Sequence, residues 1–362
     1  MPPQQTTYRE HYEGLEKNLL GPYACLSSAS LGRKIPEKPC DIRTVFQRDR
    51  DRIIYSKAFR RLKHKTQVFL SPMGDHYRTR LTHTLEAAEI ARTIARALRL
   101  NEDLTEAIAM GHDLGHTPFG HAGETVLNEI LPGGFSHCQQ SLRVVDVLEN
   151  KGRGLNLTEE VKDGILKHSK GFGEIIPQNL DDWAFTVEGR VMRLADVVAY
   201  LSHDLDDAQR SKVIFAADVP GQCTEVLGET HSSRITTMIR DIIENTIIKE
   251  GKMCLGISPV MYDTIMALRK FLYDNVYRSP RVQDEFEKAR RLLFDLFEYF
   301  MQHPDPFHCE NQRLFEEELD RQEACGYERQ VCDFIAGMTD RYAQDLYTRI
   351  FMPSTLTLPR HS

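Results

Sequence analysis

The 362-residue sequence has no apolar run approaching the roughly 20 residues that span a bilayer, and its polar start, MPPQQTTYRE, lacks the basic-then-apolar order of a secretory signal. These absences exclude a membrane-embedded reading and set the expectation of a cytoplasmic protein. None of the eight cysteines forms a CxxC pair, which argues against a disulfide framework or a thiolate metal centre and leaves any metal to histidine and carboxylate. There is no convincing run of alternating strand pattern, no internal repeat and no low-complexity tract. Net positive charge is missing too. The balance of -7 argues against nonspecific binding to nucleic acid or to an anionic membrane surface.

What is present is a helical pattern over most of the chain, with 41% hydrophobic and 27% charged residues, ample for a core. Residues 81–100 place Leu81, Leu85, Ala88, Ala95 and Leu98 on one stripe and Ala87, Ile90 and Ile94 on the next, a surface broad enough to require a buried helix. Similar patterns cover 104–112, 121–131, 138–150, 158–168, 187–208, 234–248, 259–275, 281–302 and 328–351, divided by Gly, Pro or Asn. An all-α protein is predicted. Residues 1–42 read as an irregular N-terminal arm, 43–215 as the domain carrying the chemistry, and 216–362 as a helical C-terminal region packed on it and at subunit interfaces. Gly171–Asp182 and Ala216–Gly228 read as loops with room for a short hairpin. The C-terminal aromatics, among them Phe271, Tyr273, Tyr277, Phe294, Phe297 and Phe300, recur at helical spacing and read as core or interface rather than ligand box.

Two local concentrations stand out. Arg43 to Arg80 holds eleven Lys and Arg against three Asp, a balance of +8 in a chain whose remainder carries -15. Charge alone leaves an ion-paired helix face and a polyanion site both open. Next to it, His76, His83, His112, His116, His121 and His137 make up six of the fourteen histidines. The densest run, GHDLGHTPFGHAGE over Gly111–Glu124, sets three imidazoles beside an Asp and a Glu, and each would need its own buried partner if it only packed.

Three chemistries use such a run. The HExxH zinc pattern fits poorly, because Asp113 is shorter than the required Glu, Gly115 weakens the helix between the histidines and Pro118 ends it. A structural metal or histidine network is the second. The third takes His112 and Asp113 as adjacent metal ligands at a helix end, with further ligands arriving from other helices.

The third arrangement resembles the HD-domain phosphohydrolases, in which a His, a His-Asp doublet and a distant Asp hold a divalent metal. The matching positions are His83 in YRTRLTHTLE, the doublet His112-Asp113, and Asp196 in RLADVVAY. Within that superfamily, the strings RLKHKTQVF, GHDLGHTPFGHAGE, FSHCQQSLRVV and ADVVAYLSHDLDD are similar to those of the deoxyguanosinetriphosphate triphosphohydrolases and their bacterial relatives. The resemblance implies an HD-domain helical bundle with a helical C-terminal extension. It implies His83, His112, Asp113 and Asp196 as ligands of a divalent ion, Mn or Mg first, with Fe, Co or Zn also accommodated. It implies His121 and Glu124 as a catalytic pair assisted by His116, with Arg80, His116 and His137 at phosphate and Gln67, Tyr200 and Asp204 at the sugar. The implied reaction is water attack on the α-phosphorus of a deoxynucleoside triphosphate, releasing deoxynucleoside and inorganic triphosphate. A homo-oligomer with regulatory dNTPs is implied as well. Val197 departs from the pattern, since some relatives carry a phosphate-binding Lys there, which shifts weight to Arg80 and the cations of 57–65.

Helix geometry gives independent support. At about 100° per residue, Tyr200, His203 and Asp204 all fall within about 80° of Asp196, a polar stripe on an otherwise apolar helix. Two neutral imidazoles and two carboxylates around a divalent cation sum to zero charge, so a triphosphate needs further cations, and the basic segment ending at Arg80 lies three residues from His83. His121 and Glu124, three apart on a short helix, suit proton transfer. Rival readings are an HD phosphohydrolase acting on monophosphates or a signalling nucleotide, and a non-catalytic nucleotide sensor or DNA-end binder. Weak contact with single-stranded DNA is compatible with each.

Overall fold

The computed structural model describes residues 6–67, 78–169, 173–315 and 325–353. His76, Asp75 and Gly171 lie outside these residues. In chain order the helices are α1 (Tyr8–Leu19), α2 (Val45–Tyr55), α3 (Lys57–Arg61), α4 (Arg80–Ala97), α5 (Glu102–Gly111), α6 (His121–Ile130), α7 (His137–Arg143) and the kinked α8 (Glu149–Gly152). They continue with α9 (Glu159–Lys167), α10 (Val187–Arg210), α11 (Gly221–Leu227), α12 (His231–Glu244), α13 (Pro259–Leu272), α14 (Pro280–Gln302), α15 (Pro304–Phe315), α16 (Tyr327–Gly337) and α17 (Asp340–Phe351). The all-α expectation holds, with one two-stranded hairpin, β1 (Ile247–Lys249) and β2 (Lys252–Cys254), among the described residues.

Local chemistry sets the ends of the helices that matter for the site. Thr79 caps α4 by accepting from the Thr82 amide, Asn101 caps α5 through Leu104, and Thr186 caps α10 through Gly189. The small side chains Ala87, Ala88, Ala91 and Ala95 of α4 and Ala195, Ala199 and Ala208 of α10 are buried, so these two helices pack closely, with α5 against both. This bundle, joined by α2, α9, α12 and α13, forms a first core that runs from Phe46 to Val276. A second core takes α6, α14, α15, α16 and α17, with Phe300, Phe307 and Phe334 meeting nearly edge to face at 5.3 and 5.6 Å around Phe334.

Several boundaries differ from the sequence reading. The N-terminal arm is not irregular throughout: a capping box between Thr7 and Glu10 starts α1, and Arg9 pairs with Glu13 one turn on. Ala216–Gly228 folds mostly into α11 rather than a loop. The hairpin forms instead at 247–254, turning through Glu250 (φ 52°) and Gly251 (φ 72°), so the helix expected over 234–248 ends at Glu244. The pattern over 328–351 is two helices, because Thr339 supplies a fresh N-cap after Gly337.

Candidate active site

Three helices of the first core deliver the four residues matched to the HD ligand pattern. His83 sits one turn into α4, His112 and Asp113 follow the last residue of α5, and Asp196 lies midway along α10. His83 Nε2 is 3.1 Å from Asp196 Oδ1, and His112 Nε2 is 3.5 Å from Asp113 Oδ1 and 3.8 Å from Asp196 Oδ1. The proton positions follow from what lies behind each ring. His112 Nδ1 donates to the Ala109 carbonyl at 2.6 Å, leaving a buried Nε2 lone pair with no hydrogen-bond partner. Behind His83, the His203 Nδ1 lies 3.1 Å from His83 Nδ1, and the His203 Nε2 lies 2.8 Å from Glu86 Oε2. His83 Nε2 hydrogen-bonds Asp196 Oδ1 at 3.1 Å, the contact that a bound metal ion would replace. Two imidazole nitrogens and two carboxylates converging at one buried point fit a divalent cation, and the carbonyl and imidazole behind the rings are the supports such ligands need. Burial pushes His112 down to about 4, the neutral form a ligand requires. Against burial, which raises it, hydrogen bonding from His83 and the nearby imidazoles hold Asp196 at about 2.

A second group rims this cluster. Arg80 Nη1 donates to Asp113 Oδ2 at 2.9 Å, both side chains buried. His116 Nε2 lies 3.6 Å from the other Asp113 oxygen and its ring stacks on His137 at 4.1 Å. The His121–Glu124 pair forms at 3.6 Å, but Glu124 has a closer partner: its Oε1 accepts from His137 Nδ1 at 2.8 Å and from the His137 amide at 2.9 Å. Glu124 thus serves two imidazoles. Despite burial, which raises it, His137 and His121 hold its carboxyl far below the usual carboxylate range. The His121 side chain is 56% exposed and borders the opening.

The ligand positions other than His112, and the residues that rim them, line one cavity of about 570 Å³ together with Gln67, Tyr200, Asp204, Arg269 and Tyr277. The Tyr277 hydroxyl donates to Asp204 Oδ2, while Asp204 Oδ1 and Gln67 Oε1 are buried acceptors with no hydrogen-bond partner. Burial raises Asp204 to about 6. Two glycines permit the close assembly. A Cβ at Gly115 would lie 2.1 Å from the Ser141 amide nitrogen, so α7 can press against the loop after Asp113. Gly120 takes φ 58° to start α6, with Gln67 O and Arg80 Nη2 within 3.2 Å of where a Cβ would stand.

The HD domain matches residues 80–212, and the phosphohydrolase-associated domain matches residues 255–349. A deoxyguanosinetriphosphate triphosphohydrolase-like protein from Desulfatibacillum aliphaticivorans is 59% identical over 352 residues, 97% of this chain and 99% of that one. The chain belongs to the deoxyguanosinetriphosphate triphosphohydrolase-like family. Relatives of the same name come from Caldanaerobacter subterraneus subsp. tengcongensis, 56% identical over 96% of each chain, and Clostridium perfringens, 47% identical over 95% of this chain and 98% of that one. A solved structure of a hypothetical protein from Aquifex aeolicus aligns with a TM-score of 0.45 and 19% identity over 84% of this chain and 71% of that one. Family membership makes the protein an HD-domain phosphohydrolase that binds a divalent metal. Both matched domains reach the cavity, the HD domain from Arg80 to Asp204 and the associated domain through Arg269 and Tyr277. Among the described residues, no helix is long and apolar enough to cross a membrane.

The basic segment behaves differently from the polyanion site that sequence favoured. Among its described cations only Arg80 lines the cavity. Arg43 pairs with Asp51, Arg48 and Arg52 with Glu37, Arg50 with Asp103 and Glu106, Arg61 with Glu149, and Arg78 with Glu86, Asp206 and Asp207. Carboxylates from other elements neutralise the run, and their approach is invisible in one-dimensional charge counting. Lys65 is buried, donating to the carbonyls of His116 and Ala336. Sequence reading also missed His168, Cys138, Arg269 and, having counted it as core or interface, Tyr277. His203 was placed on the site stripe but stands behind His83, fully buried. For Cys138 a signal existed, adjacency to His137; for the other three none did.

Proposed function

We propose that the protein hydrolyses deoxynucleoside triphosphates, dGTP among them, to deoxynucleoside and inorganic triphosphate. The observation that carries this reading is the convergence of the His83, His112, Asp113 and Asp196 cluster, beside a cavity that Arg80, His116, His121 and Glu124 line together with unpaired acceptors for a sugar hydroxyl. The names of the relatives support the same substrate class.

His83, His112, Asp113 and Asp196 would hold the divalent ion, Mn or Mg. Bound there, such an ion supplies Lewis-acid polarisation of a phosphoryl oxygen and acidification of a water molecule. The rest is the work of the chain. Arg80, fixed by Asp113, offers its remaining N–H groups to the phosphates, joined by His116, with Arg269 also lining the cavity. Water attacks the α-phosphorus as the bond to the 5′-oxygen breaks; the attacking water gives up a proton to solvent, and the leaving oxygen needs one. His121, exposed to the cavity and charge-stabilised by Glu124, delivers it. Asp204 and Gln67 accept from the 3′-hydroxyl, and the Tyr200 ring against C2′ disfavours a ribose hydroxyl. Residues 43–215 are the catalytic domain in this reading, and the enzyme works as a homo-oligomer in the cytoplasm.

The test is product analysis. The purified protein is incubated with each dNTP and with GTP in Mn or Mg, and products are separated by anion exchange. Inorganic triphosphate with deoxynucleoside is expected; monophosphate or pyrophosphate as product would overturn the reading.

A further inference from the structure

A second cluster of ligand atoms lies beside the first and has no part in the reaction above. His137 Nε2 is 3.2 Å from His168 Nε2, and Cys138 Sγ is 3.4 Å from the former and 3.9 Å from the latter. All three residues are buried. A zinc-type ion holds imidazole nitrogen at about 2.0–2.1 Å and thiolate sulfur at about 2.3 Å, which sets tetrahedral neighbours about 3.3–3.6 Å apart. The three observed edges bracket that spacing.

The protons point the same way. His168 Nδ1 donates to the Ile165 carbonyl at 2.7 Å, and His137 Nδ1 donates to the Glu124 carboxylate at 2.8 Å. The two Nε2 atoms and the sulfur therefore face one another, a convergence held together either by a shared proton or by a metal cation between them. The backbone carbonyl behind one ring and the carboxylate behind the other are the supports that fix metal-binding imidazoles. His137 and Cys138 border the cavity, so a fourth coordination position faces it, while His168 sits behind, its ring 5.0 Å from that of His112.

We infer that His137, Cys138 and His168 form a second, sulfur-containing site for a borderline-soft divalent ion such as Zn(II), Fe(II) or Co(II), adjacent to but distinct from the His83, His112, Asp113 and Asp196 centre. This inference does not rest on the reaction proposed above. It revises the expectation that any metal is held by histidine and carboxylate alone. Soft thiolate ligation selects against Mg, so the two sites differ in the ions they prefer.

The test uses the full-length protein, stripped of metal and titrated with Co(II), followed by absorption and by bound-metal analysis. A thiolate-to-Co(II) charge-transfer band in the near ultraviolet is expected. Cys138→Ala should abolish it and lower the stoichiometry by one equivalent, with helical circular dichroism retained. His168→Gln should weaken the Co(II) affinity that the band reports by about tenfold or more. Asp196→Ala should keep the band while losing the other equivalent, which separates this site from the catalytic centre. A wild-type protein without the band, or a band that survives Cys138→Ala, would overturn the inference, and thiol alkylation at mildly acid pH unaffected by Co(II) would identify a thiolate–imidazolium pair in its place.

Discussion

The two cores do different jobs. The first is built from aliphatic side chains and alanine, and that smallness lets α4, α5 and α10 approach closely enough for their histidines and aspartates to converge. The second is aromatic and holds α6, the helix bearing His121 and Glu124, by packing Ala122, Val126 and Leu127 against α14 and its neighbours. The proposed metal ligands hang on one core and the proposed proton-transfer pair on the other. Asp340 ties them together, one carboxylate oxygen accepting from the Thr66 amide at 2.8 Å and the other from Phe119 at 2.9 Å. On the proposed roles, metal affinity and proton transfer should be separable by mutation, and the C-terminal helices take part in shaping the site.

The largest effect is expected for Asp113→Ala, which removes a ligand and leaves Arg80 buried without its carboxylate. Metal binding and turnover should vanish together and stability should fall by about 3–5 kcal/mol, measured by bound-metal analysis and denaturant titration. Retained metal would detach Asp113 from the first centre. His121→Ala comes next: metal content should be unchanged while kcat drops roughly 10² to 10⁴-fold. Full activity in that variant would remove His121 from the chemistry.

Phe300→Ala probes the aromatic core alone. It should cost about 3–5 kcal/mol and lower kcat through a looser α6, with Co(II) affinity at the first centre within a few-fold of wild type. A parallel loss of metal would show that the cores act as one unit. The smallest effect concerns Asp204, whose folded value of about 6 lies above its ordinary 3.8. The neutral carboxyl is favoured by folding, so its contribution is complete below about pH 4 and disappears as pH rises through 6. Asp204→Asn should therefore reduce the stability lost between pH 4 and 8 by on the order of 2 kcal/mol, read from denaturant midpoints. An unaltered pH profile would mean that the buried carboxyl is ionised throughout.

Much of the bundle was legible because buried helices write a broad apolar stripe, as α4 and α10 do, and because Thr, Asn, Gly and Pro mark their ends. The hairpin at 247–254 was not, since three residues per strand are too few to show an alternating period, and Gly251 was its single local mark. In the site, His112, Asp113, His116, His121 and Glu124 sit in one fourteen-residue run, and the motif linked His83 and Asp196 to it. The fate of the basic segment was hidden, because Glu37, Asp103, Glu106 and Glu149 reach it only after folding.

By itself the sequence determined the helical class and the local groups whose chemistry travels with spacing along one helix or loop. Tertiary structure alone decided which nitrogen of each imidazole faces its cluster, because that depends on what stands behind the ring: the Ala109 carbonyl for His112, His203 for His83, Glu124 for His137 and the Ile165 carbonyl for His168. It also decided that Cys138 meets two histidines and that Tyr277 reaches Asp204 across 73 positions, since hydrogen bonds and coordination act over a few ångströms in space and are blind to distance along the chain.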